Sequence, residues 1–260
     1  MTTTATRFER LSIQLEAPVA FVTLNNPPLN IIDLVMMEEL TSVLNEIESQ
    51  SSISIIAFHG AGKCFSAGVD VPAHARETVA SMLEKFHAVV RALVSTRKVT
   101  IAAVEGHCLG GGAELAMVSD FVYTTNGATW GFPEIRLGCF PPVAATALAA
   151  LIGQKRAADL ILSGRSISGS EAACLGLATA AVPDGQLASV VDQCVEGIRQ
   201  LSPAALRVTK KAMYAWDSMH FDKGLARAQK IYLEELVETA DAQEGIRAFL
   251  EKRVPNWTGR

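Results

Sequence analysis

Glu114 and Glu134 are the side chains whose surroundings most clearly call for chemistry. Glu114 follows three consecutive glycines, Gly110, Gly111 and Gly112, and precedes the apolar run Leu115, Ala116, Met117 and Val118. A carboxylate in such a stretch is costly to bury unless it has a partner or a task. The glycines let the backbone approach another group closely and, at a helix start, leave amide N–H groups free. Glu134 stands twenty residues further on, in WGFPEI, again among apolar neighbours. Two such carboxylates beside a glycine-rich amide donor point to acid–base work next to a developing oxyanion.

Two segments have the form of a strand followed by a glycine turn, IIAFHGAGKCFSAGVD and TIAAVEGHCLGGGAELA. Each can present a backbone N–H at the strand end. Taken alone, each is a tight turn that needs glycine. Converging on one carbonyl oxygen, the two would form an oxyanion hole. Other signatures are absent. GAGKCF begins like a phosphate loop but lacks its ending and spacing, and no GxGxxG follows a strand. FSAG is not a nucleophile elbow, and the five histidines form no HExxH. No metal site is expected.

The elements that must position these groups follow from periodicity. LSIQLE and VAFVTLN read as strands ending at the turn formers Asn25, Asn26, Pro27 and Pro28. Asp33 opens a helix with Leu34, Met37, Leu40, Leu44 and Ile47 on one face. ISIIAFHG and VTIAAVEG are buried strands; between them Met82, Leu83, Phe86, Val89, Val90 and Leu93 mark a second amphipathic helix. GHCLGGGAELAMVSD turns into a helix, and FVYTT is a further strand. Alternating strands and helices give an α/β fold. After Pro141 the chain reads almost entirely as helix, with breaks near Gly153, Gly164, Pro183 and Pro203 and three helices over 203–253. Residues 1–202 are expected to form the catalytic core, and 203–260 a helical region that covers it or packs on another subunit.

Composition narrows the class. The chain has 260 residues, 49% hydrophobic and 19% charged, which is globular and ordered. A net charge of −4 with no basic run gives no reason to expect nucleic acid as a partner. Cys64, Cys108, Cys139, Cys174 and Cys194 are odd in number and widely spaced, which fits free thiols in a reducing compartment. MTTTATRFER lacks the apolar stretch of a signal peptide, and no apolar run is long enough to span a membrane. The expected setting is cytoplasmic.

The ordered set LNNPPLNIIDLVMMEEL, CFSAGVD, AAVEGHCLGGGAELAMVSD, GFPEIRLG, SGRSISGSEAACLGLATAAVP and AFLEKRVPNW resembles the enoyl-CoA hydratase/isomerase (crotonase) superfamily over nearly the whole chain. The resemblance implies a spiral of ββα units with a C-terminal helical trimerisation region, assembling as a homotrimer or a homohexamer. It implies an acyl-CoA thioester as substrate, with no cofactor beyond the CoA that the substrate carries. It places the oxyanion donors on the amides of Val69 and Gly111, and the catalytic carboxylates on Glu114 and Glu134. Glu114 would take a proton from the water attacking the β carbon; Glu134 would give one to carbon. Ser66, Ala67, Gly68, Val69, Val71 and Gly110 fall along the CoA path. Phe249 and Lys252 match positions that reach a neighbouring subunit's CoA.

Both glutamates remain, as in the hydratases of the superfamily. The segment after Glu134 departs from the usual glycine-rich pattern: FPPVAATAL forms what reads as a loop over 140–147, with Phe140, Pro142 and Val143 at the acyl pocket. That segment, with NIIDLVMMEEL, SGRSI and IYLEELVETADAQEGIRAFLEKR, resembles the hydratases of cyclohexa-1,5-dienecarbonyl-CoA, which add water in a 1,4 sense during anaerobic aromatic breakdown. The alternatives are a general short-chain enoyl-CoA hydratase of fatty acid β-oxidation, an enoyl-CoA isomerase, and an acyl-CoA- or RNA-binding protein without turnover.

Overall fold

The computed structural model describes residues 8–214 and 217–259. Nine strands run in chain order: β1 Leu11–Glu16, β2 Val19–Leu24, β3 Ile55–Gly60, β4 Val99–Val104, β5 His107–Leu109, β6 Phe121–Thr125, β7 Thr129–Gly131, β8 Ser166–Ser168 and β9 Ala180–Val182. They form a six-stranded sheet, β1-β2-β3-β4-β6-β9, and a three-stranded one, β5-β7-β8. β1 and β2 are an antiparallel hairpin with Leu11 opposite Leu24; from β2 onward the large sheet is parallel.

A parallel sheet needs cover on both faces. One face meets α1 (Leu34–Ser49) and α2 (Val79–Ser95). Asp33 caps α1, its carboxylate accepting from Met36 N at 2.8 Å. Met37, Leu40, Leu44 and Ile47 of α1 are buried, as are Met82, Phe86, Val89 and Leu93 of α2. The apolar stripes read from the sequence are therefore the faces that pack. The other face, Val19, Ile55, Val99 and Ile101, is covered by Val191, Val195 and Ile198. The chain from β5 to that cover supplies α3 (Gly111–Met117), α4 (Pro142–Ile152), α5 (Gln154–Ser163), α6 (Gly169–Leu175) and α7 (Leu187–Arg199), which carries the three covering residues.

Two expectations are corrected. The chain after Pro141 is not almost all helix: β8 and β9 interrupt it, and β7 precedes it. Each is three residues long, too short for an alternation to register. β9 nevertheless forms the sheet edge beyond β6. The stretch 140–147 is not a loop from end to end. Pro142 is the first residue of α4, a position where its missing N–H costs nothing.

The C-terminal part is α8 (Pro203–Tyr214), α9 (Asp217–Ile231), a π-helical segment Tyr232–Leu236, and α10 (Ala240–Leu250). Two of its attachments to the rest of the chain are at buried backbone or buried charge. Lys210 of α8 is buried and donates to Asp120 Oδ2 at 2.6 Å and to Lys98 O at 2.7 Å. Asp120 Oδ2 also accepts from Thr100 N at 2.7 Å, so the buried charge is fully engaged at the sheet. At the second point Gly245 of α10 lies on the backbone of Leu137, so close that an added Cβ would overlap the Leu137 carbonyl. Because that carbonyl belongs to backbone, it cannot swing aside. Gly245→Ala is expected to destabilise the protein by about 1–3 kcal/mol, read by denaturant unfolding. An unchanged unfolding midpoint would show that α10 does not depend on this contact.

Candidate active site

The two glycine turns are held together by backbone hydrogen bonds. Phe65 N donates to Glu105 O at 2.8 Å, Ser66 N to His107 O at 2.9 Å, and Leu109 N to Ser66 O at 3.0 Å. The first turn is also tied from behind. Asn30, buried with φ +49°, donates through its side chain to Ala61 O at 3.0 Å and Cys64 O at 2.6 Å. Ser66 Oγ donates to Asn30 O at 2.8 Å and accepts from Gly68 N at 3.1 Å.

This lashing leaves one amide over. Ile32 N donates to Gly68 O at 2.9 Å and Asp70 N to Ile32 O at 3.2 Å, so the bridge to Ile32 passes over Val69 N. Gly111 begins α3, where an N–H has no intrahelical acceptor. Neither amide donates to a protein acceptor among the described residues. They lie side by side: a Cβ on Gly111 would fall 3.5 Å from Val69 N and 2.6 Å from Val69 Cγ2. Only glycine fits there.

Glu114 sits one turn into α3 and is 3% exposed. Its Oε1 accepts from Ala144 N at 2.9 Å, in the first turn of α4, which has no side-chain cap of its own. Burial raises the Glu114 pKa, and the amides of Ala144 and Val143 pull it part of the way back. Glu134 lies in a 3₁₀ turn, Pro133–Leu137. The residue is half-buried, but its Oε2 is shielded and has no hydrogen-bond partner. Burial, then the neighbouring charge of Glu114, push the Glu134 pKa up, and its own backbone amide pulls it part of the way back. Gly110, φ +51°, leaves room for this carboxylate: a Cβ there would stand 2.5 Å from Glu134 Oε1.

Both carboxylates and both amides line one cavity of about 630 Å³. Ala67, Gly68, Val71 and Gly110 line it too, as do Phe140 and Pro142. Two expected residues are not brought there. Ser66 is fully buried behind the turn, where it fixes Gly68 and Asn30. Val143 packs into the core, and only its amide serves Glu114. Lys252 is exposed past the end of α10 and outside this cavity; the expectation for it concerns a neighbouring subunit's CoA. Phe249 lines this chain's own cavity; the expectation for it likewise concerns a neighbouring subunit's CoA. Phe140 has a second role, as it also borders a largely apolar cavity of about 690 Å³ next to Met117, Leu151 and Ile231.

Sequence reasoning missed Asn30, the Ala144 amide and Tyr232. Asn30 was within reach, since Asn tolerates positive φ and stands in a turn-rich segment. Tyr232 lines the cavity from the π segment and reads in the sequence as an ordinary core aromatic. Among the described residues no group of three His, Cys, Asp or Glu is arranged to hold a metal.

The sequence pattern described as Enoyl-CoA hydratase/isomerase matches residues 14–260. A probable enoyl-CoA hydratase of Mycobacterium bovis is 35% identical over 97% of this chain and 99% of its own length. A cyclohexa-1,5-dienecarbonyl-CoA hydratase of Thauera aromatica is also 35% identical, over 91% of this chain and 92% of its own. Among solved structures, an enoyl-CoA hydratase from Mycobacterium avium subsp. paratuberculosis superposes with a TM-score of 0.87 at 25% identity, covering 96% of this chain and 99% of that one. With two amides and two carboxylates around one cavity, and with likeness along almost its full length, this chain belongs to the enoyl-CoA hydratase/isomerase family.

Proposed function

We propose that the protein is a hydro-lyase that adds water to an α,β-unsaturated acyl-CoA. The observation that carries this reading is the meeting of two buried carboxylates with two unengaged amides in one cavity. The thioester oxygen sits against Val69 N and Gly111 N, which stabilise the enolate; one such donor is worth ~10²–10³ in rate. α3 points its N-terminus at the same spot, adding a favourable dipole. Glu114, partly stabilised in its charged form by α4, accepts the proton of the attacking water. Glu134, its pKa raised by burial and by that neighbouring charge, holds the proton delivered to carbon. The reaction needs no cofactor beyond the substrate's CoA.

A cyclic dienoyl thioester, as in anaerobic aromatic breakdown, is the acyl group we favour. Support comes from Phe140 and Pro142, which give the cavity a blunt apolar wall. The equal identity of 35% to relatives of both kinds leaves the general short-chain hydratase as the competing reading. Assembly as a trimer or a hexamer belongs to the same proposal; exposed Val208 and Met213 on α8 offer it apolar surface. So does a cytoplasmic setting, supported by five free thiols. No helix of the described residues is long and apolar enough to cross a membrane.

Glu114→Gln is expected to keep acyl-CoA binding and lose ~10²–10⁴ in kcat for hydration. Turnover at the wild-type rate in that variant would remove Glu114 from the mechanism. For the acyl group, the kcat/KM of the cyclic dienoyl-CoA is expected to exceed that of crotonyl-CoA. One methylene's worth of misfit is worth only ~1–3 kcal/mol, so crotonyl-CoA should retain some activity. A ratio favouring crotonyl-CoA would return the protein to the general hydratases.

The raised pKa of Glu134 has a further measurable effect. Its carboxyl holds its proton to higher pH folded than unfolded, so the unfolded chain ionises first as pH rises. Stability therefore falls from the ordinary glutamate range through the raised folded value, and the loss persists above it. Glu134→Gln removes this penalty. Its Tm advantage over wild type should grow between about pH 5 and about pH 9; an advantage independent of pH would contradict the assigned shift.

A further inference from the structure

The helices that line the catalytic cavity also line the second one. On α3, Gly111 and Glu114 border the catalytic cavity, and Met117 and Val118 border the other. On α4 the division falls between Pro142 and Ala145. Where α9 runs into the π segment, it falls between Ile231 and Tyr232. Glu114 and Met117 are three residues apart, as are Pro142 and Ala145, and three residues are about 4.5 Å of helix rise. The second cavity, about 690 Å³ and largely apolar, therefore begins about one turn of helix beyond the carboxylate of Glu114.

Phe140 is common to both linings. Its backbone is set by its neighbours. Cys139 N donates to Glu134 O at 3.0 Å, which closes the 3₁₀ turn before it. Pro141 after it favours extended backbone at Phe140, and Pro142 starts α4. The ring packs on Tyr232 with centroids 5.1 Å apart and planes tilted by 53°. A phenyl ring at this place fills space that a smaller side chain would leave to both cavities. With the thioester oxygen at the amides of Val69 and Gly111 and the β carbon at the carboxylates, Phe140 stands on the side of the cavity that borders the second space.

We propose that Phe140 is the specificity-determining residue for acyl length: its ring confines the acyl group to the catalytic cavity, and the second cavity is a latent subsite for a linear acyl tail. The ligand class admitted when the ring is removed is a medium-chain acyl thioester, whose apolar tail matches the apolar walls beyond Phe140. The inference rests on the acyl-CoA part of the function proposed above, but not on turnover. It also gives that function a reason to favour a compact ring over a long chain.

The test is calorimetric binding of butyryl-CoA and decanoyl-CoA to the wild-type protein, to Phe140→Ala, and to Phe140→Ala combined with Ala147→Phe. Each methylene that becomes buried adds roughly fourfold in affinity. Preference for decanoyl-CoA over butyryl-CoA is expected to rise at least ~tenfold from wild type to Phe140→Ala, the result of two or more methylenes entering. A smaller rise overturns the proposal, since a ring that only packs the core cannot sense tail length. A wild-type protein that already prefers decanoyl-CoA as strongly overturns it too, because its tail then runs elsewhere. Ala147 lines the second cavity and not the catalytic one, so Ala147→Phe should abolish the gain; a gain that survives it ends the subsite. Phe140→Leu keeps more of the packing, is expected to move the preference the same way, and stands in if Phe140→Ala does not fold. A wild-type protein that binds neither thioester ends the proposal together with the acyl-CoA reading, whereas an unchanged preference in a protein that binds butyryl-CoA ends this inference alone.

Discussion

One hydrogen bond organises the site: Glu114 Oε1 accepting from Ala144 N at 2.9 Å. It settles a conflict that either partner alone would leave open. A carboxylate inside α3 has to be buried, and α4 begins at a proline pair with no side chain to cap it. Each supplies what the other lacks. The same contact limits how far burial can neutralise Glu114, and it fixes the direction in which α4 leaves the cavity floor. α9 packs on α4, so the placement of Tyr232 follows from it as well. A buried anion at a helix start is favourable only while the helix is in place, which couples the chemistry to the packing.

The two glutamates then diverge through surroundings rather than through type. Glu114 faces amide donors, and Glu134 faces an apolar wall and its partner's charge. Two carboxyls that share a small dry space cannot both be ionised cheaply. The pair is thus set to carry one proton between them.

Most of this was legible in the residues because it depends on local rules. Asp33 before an apolar stripe is a helix start, and it is one here. Three glycines before a carboxylate required close backbone approach, and Gly110 and Gly111 have it, against Glu134 and Val69. The failures are non-local. β7, β8 and β9 pair only because the spiral brings their partners alongside, and three residues carry no period. Ser66 was assigned to the ligand because it lies in the right turn, but its hydroxyl points to Asn30, thirty-six residues away. Val143 read as pocket wall because 140–147 looked like loop; once Pro142 starts a helix, the next side chain turns into the core. Nothing in IYLEELVE marks Tyr232 as lining the cavity, because that depends on which face the π segment presents.

Phe140 borders two spaces of similar size, about 630 Å³ and about 690 Å³, and its ring packs on that of Tyr232. A wall made of backbone would set a hard limit on what the catalytic cavity admits. A wall made of one aromatic side chain is a soft ruler. The ring contact that keeps it upright is worth only ~0.5–1.5 kcal/mol beyond its buried area. Where Phe140 forms the boundary, its position is held by a contact of that size and not by the backbone.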